Sequence, residues 1–170
     1  HGGAWRIGSP GTHRGLVSHI AYESGVRALS IDYRLAPENP FPAGLEDCIA
    51  AYDWLIDSGI ASQKIIVAGD SAGGNLTLAL LVALRDAGKP LPAGAVALSP
   101  ATDLAATHES SHTRANLDPI RSNLGSSTVL ADYITSHDPH DPYISPIYSD
   151  LHGLPPMLIH VGDHEVLLDD

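Results

Sequence analysis

The run Gly69-Asp70-Ser71-Ala72-Gly73-Gly74 places a serine between two glycines at the spacing G-x-S-x-G. Where such a run joins a strand to a helix, the serine sits on a strained turn with its hydroxyl exposed, positioned to attack a carbonyl carbon. A side chain two residues before or after would collide across so tight a turn, so glycine is needed at both places. A serine that merely caps a helix after a strand is the alternative, but it needs neither glycine. The chain begins His1-Gly2-Gly3-Ala4-Trp5. A Gly-Gly pair lets the backbone turn so that N–H groups point outward toward a developing oxyanion. Alone, such a loop is only a flexible turn. Together with Ser71 it supplies what acyl transfer requires, a nucleophile facing preset donors.

These residues need elements to hold them, and two kinds of apolar stretch alternate along the chain. Short β-rich runs at Arg27–Ile31, Lys64–Ala68, Ala93–Leu98 and Met157–Val161 have the length of buried strands and end in Gly, Asp, Ser or Pro. Helical patterns cover His13–Ser24, Ala43–Ser58 and Ala72–Ala87; Pro42 opens the second, and Gly59 and Gly88 close the second and third. Strand and helix in alternation predict an α/β fold with a mostly parallel sheet, right-handed crossovers and helices on both faces. Ser71 then falls at the junction of strand Lys64–Ala68 and the helix that follows it. The stretch 102–155 breaks the rhythm, with Pro119, Pro139, Pro142 and Pro146 and one helical pattern, Thr128–Ser136. Roughly fifty residues is too long for an ordinary connection. It reads as a cap-like insertion within a single domain, lying over the carboxyl edge of the sheet where α/β proteins bind ligands.

Composition removes several classes of function. Nine Lys and Arg against 20 Asp and Glu give a net charge of −11, the wrong sign for neutralising phosphates, so no nucleic-acid partner is expected. The longest uninterrupted apolar run is Leu78–Leu84, far short of the about 20 residues of a membrane span. Cys48 is the only cysteine, which excludes an internal disulfide and a multi-cysteine metal site. It lies on a stripe with Leu45, Ala51, Tyr52 and Leu55, as a buried structural thiol would. His108-Glu109-Ser110-Ser111-His112 fits the zinc-protease spacing H-E-x-x-H. Its flanks carry no apolar stripe and two serines occupy its centre, so no metal is expected there. No organic cofactor is implied either.

The combination of His1-Gly2-Gly3-Ala4-Trp5, Asp32-Tyr33-Arg34-Leu35-Ala36-Pro37-Glu38 and Gly69-Asp70-Ser71-Ala72-Gly73-Gly74 resembles the hormone-sensitive-lipase-like, or G-D-x-G, family of α/β-hydrolases. Asp138-Pro139, Ser145-Pro146, Leu154-Pro155-Pro156 and Glu165-Val166-Leu167-Leu168-Asp169 extend the resemblance to the end of the chain. The resemblance implies an α/β-hydrolase fold and a serine hydrolase with a Ser–His–acid triad. In that arrangement Ser71 is the nucleophile, and Gly2, Gly3 and Ala72 supply the oxyanion-hole N–H groups. His1 braces the hole, while Asp70 and the segment around Glu38 support the elbow. The family usually has a third glycine where Ala4 stands. Its acid follows a strand by three positions beyond a small residue; from Gly162 this reaches Glu165, where most members have Asp, with Asp163 as the fallback. Glu can orient and charge-stabilise an imidazole as Asp does.

The triad histidine of the family lies some tens of residues beyond the acid, so it is expected outside these 170 residues. His13, His19, His108, His112, His137, His140 and His152 come too early for the order Ser, acid, His, and His160 and His164 flank the acid itself. The chain therefore reads as a partial sequence, lacking N-terminal strands and the final strand, and is expected to be inactive alone. The expected reaction is hydrolysis of small, short-chain neutral esters or lactones. An amide or N-acetyl hydrolase, and a non-catalytic small-molecule receptor on the same fold, are the alternatives.

Overall fold

Three parallel strands carry the site. The computed structural model describes residues 1–120 and 127–170. In chain order the regular elements are α1 (Arg14–Ser24), α2 (Ala43–Asp57), β1 (Ile66–Asp70), α3 (Ala72–Asp86), β2 (Gly94–Leu98), α4 (Ser110–Thr113), α5 (Ser127–Ile134) and β3 (Met157–His160). The sheet order is β1-β2-β3, with Asp70 opposite Leu98 and Leu98 opposite His160. Because all three strands run the same way, their carboxyl ends finish at one edge. Ser71 leaves the first of these ends, Ser99 the second and Val161 the third. The ends are tied together: Ser71 N–H donates to Leu98 O at 2.9 Å, and Ser99 N–H to His160 O at 2.6 Å.

α3 is almost wholly buried, from Ala72 through Leu84, with Ala83 half-buried. It packs on β1 and β2 and against α2, so the turn at Ser71 opens onto the most deeply buried helix among the described residues. Cys48 lies in that core with Leu45 and Tyr52. Burial pushes its thiol up to about 12, which leaves it protonated and inert at neutral pH.

Four differences from the sequence-based expectation concern the elements. Arg27–Ile31 forms no strand. A strand is defined by its ladder, and among the described residues no neighbour pairs with this one. β1 starts and ends two residues later than expected, so Asp70 itself is the last strand residue. Within the insertion the helix is Ser127–Ile134, and residues 121–126 lie outside the described residues. Parts of the insertion also belong to the core: Ile144 and Ser145 are fully buried. Asn75 of α3 donates from Nδ2 to both Ala101 O and Ile144 O at 2.8 Å.

Candidate active site

Ser71 adopts φ 52° and ψ −118°, a region that costs a non-glycine residue about 1–3 kcal/mol. The turn is possible because its neighbours are glycines. A Cβ on Gly69 would run into the Gly73 carbonyl, and one on Gly74 would come within 2.9 Å of Pro100 Cβ. A Cβ on Gly73 would come within 2.8 Å of the His1 carbonyl, so the first residues of the chain lie directly against the start of α3. Ser71 Oγ makes no hydrogen bond among the described residues. Ala72 N–H heads α3 and has no intrahelical acceptor.

The His1–Trp5 loop is braced from several sides. The His1 ring stacks on Tyr33, centroids 4.2 Å apart, while Tyr33 Oη donates to His1 O at 2.6 Å. Ala36 N–H donates to Trp5 O at 2.8 Å, and the Trp5 ring stacks on Tyr133 of α5 at 4.4 Å. Burial drives the Tyr33 hydroxyl well above its ordinary value, so it remains a donor. Gly3, Ala4 and Trp5 all have positive φ, at 125°, 52° and 59°. The loop thus turns through the left-handed region, which Ala4 and Trp5 enter without glycine's freedom.

One oxyanion donor departs from expectation. Gly2 N–H donates to Asp70 Oδ1 at 3.0 Å, so it is committed to a carboxylate and does not face an incoming carbonyl. The amides of Gly3 and Ala4, next along the turn, have no acceptor among the described residues. Asp70 thus fastens the loop to the elbow. His13 holds the other carboxylate oxygen, its Nε2 lying 3.2 Å from Oδ2, and Thr12 Oγ1 lies 2.9 Å from His13 Nδ1. Sequence reasoning set His13 aside as out of order for a triad and missed this role. Glu38 is exposed and has no hydrogen bond or ion pair among the described residues. The bracing expected of it falls to Tyr33 and the Ala36 backbone.

On the other side of β2, Glu165 follows β3 and lines a depression with Leu98, Ser99, His160 and Gly162. Its Oε1 accepts Gly162 N–H at 3.0 Å. Asp163 behaves differently: its side chain is 79% exposed and lies 3.5 Å from Arg114. His164, also exposed, is turned toward Asp163.

The segment 162–170 is anchored from the loop after β2. Thr102 N–H and Asp103 N–H donate to Asp170 Oδ2 at 2.7 and 3.1 Å, Ser110 Oγ donates to Val166 O at 2.7 Å, and Ser110 N–H donates to Asp169 Oδ2 at 2.8 Å. Asp118 Oδ2 accepts Val166 N–H at 2.9 Å. His108 and His112, the two histidines of H-E-x-x-H, do not converge. His108 faces Asp170 and Asp103, α4 is a single turn, and among the described residues no group of three or more such side chains is arranged to hold a metal ion.

Burial pushes the Asp170 carboxyl up to about 6, against the N–H donors of Asp103 and Thr102 and the nearby His108. The folded state therefore holds this proton more tightly than the unfolded chain, so stability falls as pH rises from about 4 through about 6. Asp170→Asn, which keeps an acceptor for both N–H groups, is expected to match wild type near pH 4 and to melt higher at pH 8. Thermal denaturation of the full-length protein at the two pH values checks this.

The fold and the loop–elbow geometry define an α/β-hydrolase. The chain belongs to the alpha/beta hydrolase fold family, whose model matches residues 1–170, and within it to the hormone-sensitive-lipase-like branch. It is 45% identical over its whole length to an acetyl-hydrolase of Streptomyces hygroscopicus and 39% identical to an esterase of Acinetobacter venetianus, spanning 57% and 56% of those proteins. A solved esterase of the bacterial hormone-sensitive lipase family is 51% identical, with a TM-score of 0.95 over all of this chain and 57% of its own. The chain thus spans little more than half the length of these relatives.

Proposed function

We propose that the full-length protein is a carboxylic ester hydrolase acting by two-step acyl transfer. The observation that carries this reading is Ser71 on its strained turn, with its hydroxyl, the Ala72 amide that follows it and the Gly3 amide of the loop packed against α3 all without a partner among the described residues. In the first step Ser71 Oγ attacks the ester carbonyl carbon and gives its proton to a histidine base. The carbonyl oxygen, now an oxyanion, is held by the N–H groups of Gly3 and Ala72, with Ala4 beside them, each worth about 3 kcal/mol of barrier. Collapse expels the alcohol, which takes the proton. Water then attacks the acyl-enzyme by the same route and frees the acid and Ser71.

Glu165 is the acid of this scheme. Ser71 and Glu165 follow strands two places apart, roughly 10 Å at two strand spacings. That gap is too wide for direct contact and suits an imidazole bridging hydroxyl and carboxylate. The base is a histidine contributed from outside these residues. The net charge of −11 repels anionic substrates at long range and favours neutral esters or lactones. The name of the Streptomyces relative favours a second reading within the same chemistry, removal of acetyl groups from an oxygen or a nitrogen.

The test is turnover of p-nitrophenyl esters from acetate to laurate, beside the matching N-acetyl anilide, by the full-length protein. The expected result is highest kcat/KM for acetate to butyrate and at least about a hundredfold less for the anilide. Comparable anilide turnover would favour the amidase. Binding of esters without hydrolysis would favour a receptor.

A further inference from the structure

The His108–His112 stretch, which fits a metal motif without binding geometry, has another use. We infer that His108 is a positioning residue for the acid: it joins the loop after β2 to Asp170 and thereby fixes the segment that carries Glu165. This inference rests on the reading of Glu165 as the acid.

His108, Asp103 and Asp170 form a buried trio with side chains 9%, 2% and 1% exposed. Asp103 is already saturated. It accepts from Ala105 N–H at 3.0 Å, Thr107 N–H at 2.8 Å, Thr107 Oγ1 at 2.6 Å and Tyr148 Oη at 2.9 Å. Burial pulls its carboxyl up, but the Thr107 hydroxyl and N–H, Tyr148 and His108 outweigh this and hold it below the usual range. Asp103 is therefore a fixed negative charge, 3.5 Å from His108 Nδ1.

Asp170 is not saturated. Its Oδ2 takes the two backbone N–H groups, while Oδ1 faces His108 Nδ1 at 3.0 Å without a well-aligned hydrogen bond. A bare nitrogen lone pair facing two buried carboxylates would be repelled by both. A proton must therefore lie between Nδ1 and Oδ1, on whichever atom holds it. This shared proton links the β2 loop to Asp170 through side chains, and Ser110 adds its grip on Val166 and Asp169 two residues later. Together they fix the turn that follows Glu165, whose own backbone is held, among the described residues, within the segment by Glu165 N–H to Gly162 O and Leu168 N–H to Glu165 O. The groups around His108 from each packed segment are Asp103 and, through it, Tyr148, together with Asp170 and the neighbouring Asp169–Ser110 pair.

The test uses the full-length enzyme and a short-chain aryl ester. His108→Leu strands two carboxylates without a proton donor. It is expected to lower kcat about ten- to a hundredfold, the effect of a displacement near 1 Å, with KM changed by no more than about twofold. Adding Asp170→Asn removes one buried charge and is expected to restore kcat to within about threefold of wild type. Should His108→Leu alone fail to fold, the double variant still decides: folded and active supports the inference, folded with low kcat overturns it. Wild-type kcat in His108→Leu while Glu165→Gln is inactive overturns this inference and leaves the acid in place. Wild-type kcat in Glu165→Gln overturns the acid assignment, and this inference with it.

Discussion

Ser71→Ala in the full-length protein should lower kcat toward short-chain esters by about 10⁵- to 10⁶-fold, the loss seen when a triad nucleophile is removed. Little else should change. Alanine keeps the Cβ and meets the same strain at φ 52°, and Ser71 Oγ has no partner among the described residues to lose. Ser71→Gly separates strain from chemistry. Glycine enters the positive-φ region freely, so this variant should be as inactive as alanine yet melt several degrees higher. A nucleophile held at a cost to stability predicts that combination, whereas a helix-capping serine predicts loss of stability in both variants. Activity of either variant near the wild-type rate would remove Ser71 from the mechanism.

The elbow was legible because its information is local. Six consecutive residues carry the turn, and the strand and helix on either side follow from short apolar patterns. What was not legible depends on partners far along the chain. Gly2 and Gly3 look alike as a pair of flexible donors, but only Gly2 meets Asp70, 68 residues away, and that contact takes one of the two amides out of the proposed oxyanion hole. His13 was read by its order relative to Ser71 and not by its neighbour, so its hold on Asp70 was invisible. Arg27–Ile31 has the composition of a strand, but composition supplies no ladder. The H-E-x-x-H spacing is a pattern of two histidines on one helical turn, and here the turn is too short and each side chain answers to a different environment. His108 and Ser110 became interpretable only once the fold had brought residues 102–110 against 162–170.

The assignment of the acid makes the second large prediction. In the full-length protein Glu165→Gln should lower kcat by about 10³- to 10⁴-fold, as loss of the triad carboxylate does, because an amide cannot stabilise the imidazolium and invites the wrong tautomer. Asp163→Asn should change kcat by no more than about threefold, since an exposed ion pair contributes little. Their surroundings separate them: Glu165 faces the depression at the strand ends and accepts Gly162 N–H, whereas Asp163 points into solvent beside Arg114. Glu165→Asp adds a stricter test. A Cβ on Gly162 would fall 3.2 Å from Glu165 Cγ, so the glutamate folds back over its own turn, and the longer side chain spans a distance the shorter one does not. Aspartate should keep the charge but draw the carboxylate back by about one methylene, leaving activity between wild type and glutamine. Equal losses in aspartate and glutamine would mean that reach decides as much as charge. A large loss in Asp163→Asn with Glu165→Gln near wild type would put the acid at position 163 and move the catalytic register by two residues.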